Sequence, residues 1–268
     1  MAVIRGLSFE DYKKLDGVNK STLDLVNKAP ALIEWMNNCP EDTTKENAGI
    51  FGSAFHTLVL EPDMFEKKYI VAPKIDRRTN AGKKEYEEFL SASKDLVVLS
   101  QEDMHKLKLM QGSVMAHPEA RKMIELSEKE VTFQCDRGGY STKSRHDIFI
   151  EKSRVSCDLK TIDPGNKSFE DSWGEAVEKR RYDVQAAHYG DDFKHEFGEE
   201  LRDFYFIVVS KSLSLGRYEC RVMKLNDEQK EQGKVDRDKD LKRYLDCLKS
   251  GKFPGIETTV SPAYAKRG

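Results

Sequence analysis

Between Arg145 and Thr161 the chain reads Arg-His-Asp147-Ile-Phe-Ile, then Glu151-Lys-Ser-Arg154, then Val-Ser-Cys-Asp158-Leu-Lys160-Thr. Two short apolar runs joined by a charged tetrapeptide predict two strands and a tight connection. Strand side chains alternate faces, so Arg145, Asp147 and Phe149 share one side. Asp158 and Lys160 share one side of the next strand, with Cys157 and Leu159 pointing the other way. If the strands pair, both aspartates and the lysine converge at one end of a sheet. Two carboxylates gather a hard divalent cation, and a lysine beside them orients a water or steadies an anionic transition state. The set suits metal-assisted phosphodiester hydrolysis. The alternative is a solvated strand face, since 34% of the residues are charged. Against it, Lys160 ends an apolar strand, where a buried ammonium needs a partner.

The surrounding elements must position these groups. Val131–Cys135 predicts a strand, Arg137-Gly-Gly139 a hairpin turn, Tyr140–Ile150 the return strand and Val155–Ile162 a third. Phe169–Phe197 reads as largely helical with a break near Gly174. Within it Tyr182, Gln185 and Tyr189 fall on one face, either for packing or to line the site. Phe204–Ser210 predicts a strand buried on both faces, Tyr218–Leu225 another, and Asp227–Lys249 a highly charged helix. Upstream, Ser8 and Ser21 are placed to cap two helices, Pro30 opens a third, and residues 39–48 read as a loop. Ile50–Leu60 predicts a buried helix containing His56, by itself no more than a core histidine bonded to a carbonyl. Lys74–Lys84 is the most basic stretch, either an ordinary exposed loop or a set of sequence-independent phosphate contacts. Met104, Leu107, Met110 and Val114 form a stripe at helical spacing that belongs in the core, and Pro118 interrupts it. Helices, three strands, helix, two strands and a last helix make an α/β fold, a mixed sheet flanked by helices with a helical N-terminal extension.

The length, 268 residues, suits one large domain or one domain with an extension. No apolar run can span a bilayer and the N-terminus lacks a signal-peptide core, so the expectation is a soluble intracellular protein. Five cysteines stand singly at 39, 135, 157, 220 and 247. Without a Cys-x-x-Cys pair they support neither a zinc ribbon nor a cluster, and free thiols are expected, with Cys135 and Cys157 in the core. A formal net charge of −2 does not announce a nucleic-acid binder; such a binder would have to segregate its charge.

The pattern Glu130…Lys143-Ser-Arg-His-Asp147…Asp158-Leu-Lys160-Thr resembles the PD-(D/E)XK nuclease core, and within that superfamily the chain resembles the RecE (exonuclease VIII) type of phage and prophage exonuclease. Gly52-Ser-Ala-Phe-His56-Thr-Leu-Val-Leu-Glu-Pro62 is similar to that family's upstream histidine motif, Tyr182-Asp-Val-Gln185-Ala-Ala-His-Tyr189 to its downstream helix, and Val18-Asn-Lys-Ser21-Thr-Leu-Asp-Leu to its N-terminal helix. The resemblance implies a restriction-endonuclease-like αβββαβ core in one nuclease domain over 1–268. Residues 1–120 would be its mainly helical N-terminal part, 128–250 the core and 251–268 a tail. It implies a Mg2+ site, with Mn2+ able to substitute, held by Asp147, Asp158 and the Leu159 carbonyl, supplemented by His56 and Glu130. Lys160 would position or activate water, Gln185 and Tyr189 would place the scissile phosphate, and Arg77, Arg78, Lys83 and Arg145 would contact DNA. The implied activity is 5′-to-3′ digestion of linear double-stranded DNA in the bacterial cytoplasm, by a ring-shaped trimer or tetramer. The 3′ tails would serve a single-strand annealing recombinase of the RecT/Bet-like kind. Rival readings are a structure-specific or restriction-like endonuclease of the same fold and a non-catalytic DNA-end-binding recombination subunit.

Overall fold

The structure, a computed structural model, describes residues 2–40 and 47–255. In chain order its elements are β1 (Ala2–Ile4), α1 (Phe9–Lys14), α2 (Lys20–Lys28), α3 (Ala31–Asn38), α4 (Asn47–Leu60), α5 (Pro62–Lys68), β2 (Tyr69–Val71), α6 (Asn80–Ala92), β3 (Val97–Leu99), α7 (Gln101–Ala116), α8 (Pro118–Leu126), β4 (Glu128–Asp136), β5 (Ser141–Ile150), β6 (Val155–Ile162), α9 (Phe169–Arg180), α10 (Tyr182–Phe197), β7 (Asp203–Ser214), β8 (Arg217–Lys224) and α11 (Asp227–Ser250). Helix starts follow side-chain chemistry. Ser8, Thr79, Ser100 and Ser168 each accept a backbone N–H in the first turn of α1, α6, α7 and α9. Asn226 and Gln229 form a reciprocal capping box on α11.

The main sheet has the order β1-β4-β5-β6-β7-β8. β6 and β7 run parallel and the other neighbours antiparallel. A parallel pair needs a crossover, which α9 and α10 supply. One pairing is short: β5 meets β6 only from Ile148 opposite Cys157 to Ile150 opposite Val155. Beyond Ile148 the ladder stops. At the far end of β5 the segment before α2 takes over as neighbour, Val18 bridging Thr142 and exchanging backbone hydrogen bonds with Ser141 and Lys143 at 2.8 Å each.

Alternation along the strands sorts the core into layers. Ile148, Cys157, Leu159, Ile207 and Val209 pack with Leu107, Met110 and Val114 of α7 and with Ala54, Phe55 and Leu58 of α4. Phe204, Phe206 and Val208 face Trp173 and Val177 of α9 and Tyr182 of α10. Phe133 and Phe149 close on Phe193 of α10. β7 is thus buried on both faces, as its sequence indicates, and Cys135 and Cys157 are fully buried.

Several expectations need correction. The helical stretch from Phe169 breaks at Arg181, which is left-handed (φ 53), while Gly174 lies inside α9. Arg181 holds that bend by bonding Asp240 of α11 and the Leu23 carbonyl of α2. The cap of α2 is Asn19, two residues before Ser21. Pro118 starts α8, where its missing N–H costs nothing. The basic stretch is a loop only to Thr79, so Lys83 and Lys84 lie in α6, Lys83 closing its first turn. The edge strand β1 and the small parallel pair β2–β3 are additions, too short to leave a periodic signal. The predicted 39–48 loop and the tail fall partly outside the described residues.

Packing of α11 on α10 fixes the helix that faces the sheet. A Cβ on Gly233 would lie 2.5 Å from the Asp183 carbonyl carbon and oxygen. Gly233→Ala is expected to destabilise the protein by about 1–3 kcal/mol. Urea unfolding followed by circular dichroism measures this, and an unchanged midpoint would contradict the close approach.

Candidate active site

The site forms where β5 and β6 part. Asp147 stands one residue past the last paired position of β5, and its Oδ2 accepts the Leu159 N–H at 2.9 Å. The carboxylate thereby satisfies an N–H that the interrupted ladder leaves open. On the other side of β5, Lys129 and Val131 keep their partners Ile148 and His146. Glu130 between them has φ 57. Helix α4 brings His56 over both acids: Nε2 lies 2.9 Å from Asp147 Oδ2 and Nδ1 3.3 Å from Glu130 Oε1. One donor atom from each of His56, Glu130 and Asp147 falls within 4.8 Å of the others.

Asp158 lies outside that trio, on the face of β6 toward α10. Gln185 donates its amide N–H to Asp158 Oδ1, and Lys160 Nζ stands 2.5 Å from Oδ2. The Lys160 ammonium also lies 4.8 Å from the ring centre of Tyr182. Tyr189 packs its ring on His146 and Phe204. Burial drives its hydroxyl well above the ordinary range, and the charges of Tyr12, Asp158 and Asp147 add to this. His146, next to Asp147 in sequence, is no ligand: it is fully buried, 2.7 Å from the Ser156 hydroxyl, and burial lowers it to about 3, so it is neutral.

The fold therefore brings together His56, Glu130, Asp147, Asp158, Lys160 and Gln185, with Tyr189 alongside. The backbone atom of Leu159 engaged there is its N–H, on Asp147. Arg77, Arg78 and Lys83 are exposed, on the loop before α6 and on α6 itself, with Arg77 lying 4.7 Å from the ring centre of Tyr86. Arg145 is 8% exposed, and its guanidinium bonds Glu130, the Leu7 carbonyl and the Thr132 hydroxyl; it is not a surface cation open to phosphate. Two further contacts go beyond the sequence reading, which puts Tyr182 on the Gln185 face without a partner and gives Lys143 no role. Lys143 caps the end of α1 by donating to the carbonyls of Tyr12, Lys13 and Leu15, and Tyr182 supports Lys160. Neither spacing nor composition marks a lysine as a helix cap across a sequence gap.

Two buried carboxylates, Glu130 and Asp158, and the half-buried Asp147 repel each other, and the pKa directions show how that repulsion is distributed. For Asp147, burial pushes the acid up, but His56, Lys160 and the Leu159 N–H together hold it below the usual range. Burial and the Asp147 charge raise both Asp158 and Glu130. Burial alone would lower His56, yet Asp147, Glu130 and Asp158 bring it to about 9. Burial works against the Lys160 charge too, and Asp158 and Asp147 outweigh it, so the ammonium is raised. At neutral pH Lys160 therefore donates and neutralises; it does not take a proton. The donor set also fits a cation. One imidazole and two carboxylates can hold a divalent cation, and Glu130 Oε1 is buried without a hydrogen-bond partner.

Residues 8–258 match the model of the PDDEXK-like domain family of unknown function DUF3799. The chain belongs to that family. No curated protein matches it. Among solved structures, the "Putative exonuclease" of Eubacterium rectale aligns over 100% of this chain and 99% of its own at 13% identity, with a TM-score of 0.57, which shows a shared fold. A phage-related exonuclease of Haemophilus somnus 129PT aligns over 90% of this chain and 99% of its own at 14% identity, but its TM-score of 0.36 is too low to bear on the fold. Asp147 and the run Asp158-Leu159-Lys160 lie within the matched residues.

His56 gives the site a pH signature. Its folded pKa, about 9, exceeds the ordinary value, so its ion pairs stabilise the fold fully below the unfolded pKa of about 6.5 and are lost as pH rises through about 9. In chelator, the wild-type melting temperature is expected to fall more steeply than that of His56→Gln between about pH 7 and pH 10. Parallel melting curves would remove the proposed charge on His56.

Proposed function

We propose that this PDDEXK-like protein is a divalent-metal-dependent nuclease, and more finely a 5′-to-3′ exonuclease that degrades linear double-stranded DNA to leave 3′ single-stranded tails. The observation that carries the reading is the β5–β6 fork, where Asp147, Asp158 and Lys160 meet His56 and Glu130. His56, Glu130 and Asp147 would hold the ion, with Asp158 completing the acidic pair. Bound Mg2+ or Mn2+ supplies a Lewis acid that polarises the phosphoryl group and acidifies water. Lys160, held protonated against Asp158, donates toward the attacking water and the charge that builds on phosphate. Gln185 holds Asp158 by Oδ1 while Lys160 engages Oδ2. Tyr189, whose hydroxyl keeps its proton, is available to donate to a phosphate oxygen. Arg77, Arg78 and Lys83 supply exposed cations for the duplex backbone, a contact that carries affinity without sequence preference.

The finer features rest on the order of four sequence motifs resembling the RecE type: one nuclease domain, a ring of three or four subunits, and delivery of tails to a RecT/Bet-like annealing recombinase. A closed ring would also answer a physical need, because a chain of net charge −2 has little long-range attraction to keep it on DNA. Among the described residues no helix is long and apolar enough to cross a membrane. A structure-specific or restriction-like endonuclease could use the same site, and a non-catalytic end-binding subunit would need none of it.

Hydrolysis should stop in chelator and return with Mg2+ or Mn2+. Asp158→Asn should lose at least about a hundredfold in rate while keeping its affinity for duplex, because the change removes a negative charge. A variant that lost binding but kept its rate per complex would show that Asp158 is misassigned.

Neutralising Arg77, Arg78 and Lys83 together should weaken duplex binding equally on unrelated sequences and flatten its salt dependence. An unchanged salt slope would return this stretch to ordinary solvated surface.

Substrate ends decide among the nuclease readings. On linear duplex, 5′ label should be released early and 3′ label should persist in long single strands, with covalently closed circles untouched. Cutting of circles would favour the endonuclease, and no hydrolysis of any DNA the binding subunit. Light scattering should give three or four times 30.7 kDa, and a monomer would end the ring proposal.

A further inference from the structure

Arg145 lies too deep to meet DNA, yet it is a cation bonded in three directions next to the acidic site. Its neighbour Glu130 adopts φ 57 in the middle of β4, a left-handed conformation that residues with a Cβ seldom take. The distortion is confined to this residue, since Lys129 and Val131 keep regular partners on β5. The left-handed backbone at Glu130 re-aims its side chain while the register on either side is kept. The Glu130 carboxylate is then divided. Oε2 receives the Arg145 Nε–H. Oε1 has no hydrogen-bond partner, faces His56 Nδ1 at 3.3 Å, and belongs to the His56–Glu130–Asp147 donor group.

The other end of the guanidinium explains how Arg145 keeps its own place. Nη1 donates to the Leu7 carbonyl at 2.8 Å and reaches the Thr132 hydroxyl at 3.4 Å. The Tyr12 ring lies 5.9 Å from its central carbon. An arginine fork can bond in two directions at once with fixed geometry; one lysine ammonium is a point charge on a flexible stem.

We propose that Arg145 is a positioning residue: it engages one oxygen of Glu130 and so presents the other, as a single-oxygen donor, to the divalent-cation site with His56 and Asp147. This rests on the metal-dependent reading above and adds to it the group that aims Glu130. It replaces the DNA contact that the sequence suggests for Arg145. It also makes the N-terminal segment part of the site's support, because the Leu7 carbonyl anchors the arginine.

The test is Mn2+ binding by titration calorimetry on the full chain without DNA, for wild type, Arg145→Met, Arg145→Lys, Glu130→Gln and the double variant Arg145→Met/Glu130→Gln. Duplex binding against salt is measured in chelator, and folding is checked by circular dichroism. Arg145→Met should weaken Mn2+ binding by about 10–100-fold, as loss of a ligand's supporting partner typically does, and Arg145→Lys should fall between it and wild type. The double variant should bind no more than about twofold more weakly than Glu130→Gln alone, because residues that act through one another are not additive. Duplex affinity and its salt slope should match wild type. The proposal is overturned if any folded Arg145 variant binds Mn2+ like wild type, or if the two losses multiply in the double variant. A drop of about 0.9 in the salt slope, one phosphate contact, would also overturn it and make Arg145 a DNA contact after all. If Arg145→Met does not fold, the lysine variant carries the same comparison. Wild type that fails to bind Mn2+ would instead remove the metal site itself, a result distinct from all of these.

Discussion

The unfinished ladder between β5 and β6 is the constraint on which the site depends. A continuous pair would consume the Leu159 N–H in the sheet and leave no room for a carboxylate between the strands. Because the pairing ends at Ile148 and Cys157, Asp147 takes that N–H and is fixed by backbone, the least mobile partner available. Everything else approaches this fixed acid: His56 from α4, Glu130 from the kinked position on β4, and Asp158 and Lys160 from the far prong of the fork.

The groups gathered there would not be stable as bare charges. Asp147, Glu130 and Asp158 are opposed by His56, Lys160 and Arg145, and each cation is held by more than one contact. This balance explains the opposite shifts of two aspartates a short distance apart: Asp147 has the histidine and a backbone N–H, whereas Asp158 must share a buried space with the Asp147 charge. It also explains why such a site can be assembled on an interior surface at all. Burial makes an unpaired charge prohibitive, and strengthens each pair that does form.

Much of this was legible in the sequence because the strands obey simple alternation. Asp158 and Lys160 do face one side of β6 while Cys157 and Leu159 enter the core on the other, and Val155–Ile162 has the expected bounds. The helix carrying Gln185 was readable from the same-face spacing of Tyr182, Gln185 and Tyr189. What alternation could not reveal were departures from it. The left-handed Glu130, the break at Arg181 and the burial of Arg145 are set by tertiary partners, Arg181 by Asp240 and Asp24, Arg145 by Leu7 and Glu130. Local composition carries no trace of such partners. A charged residue in a strand reads as exposed until the fold supplies the groups that hold it inside.

Val18 fills the outer edge of β5 by bridging Thr142, and β1 pairs with β4. During synthesis these segments emerge before the β4–β5 hairpin that pairs with them. At about 5–20 residues per second, that is a delay of seconds, in which an unpaired strand and the exposed face of α2 are open to wrong pairing. The last turn of the story is then written from the other end of the chain, since α2 is clasped by Arg181 and by Arg243 of α11. The segments before β4 therefore gain all these partners from residues more than a hundred positions away, which places their docking in the non-local, slow part of folding.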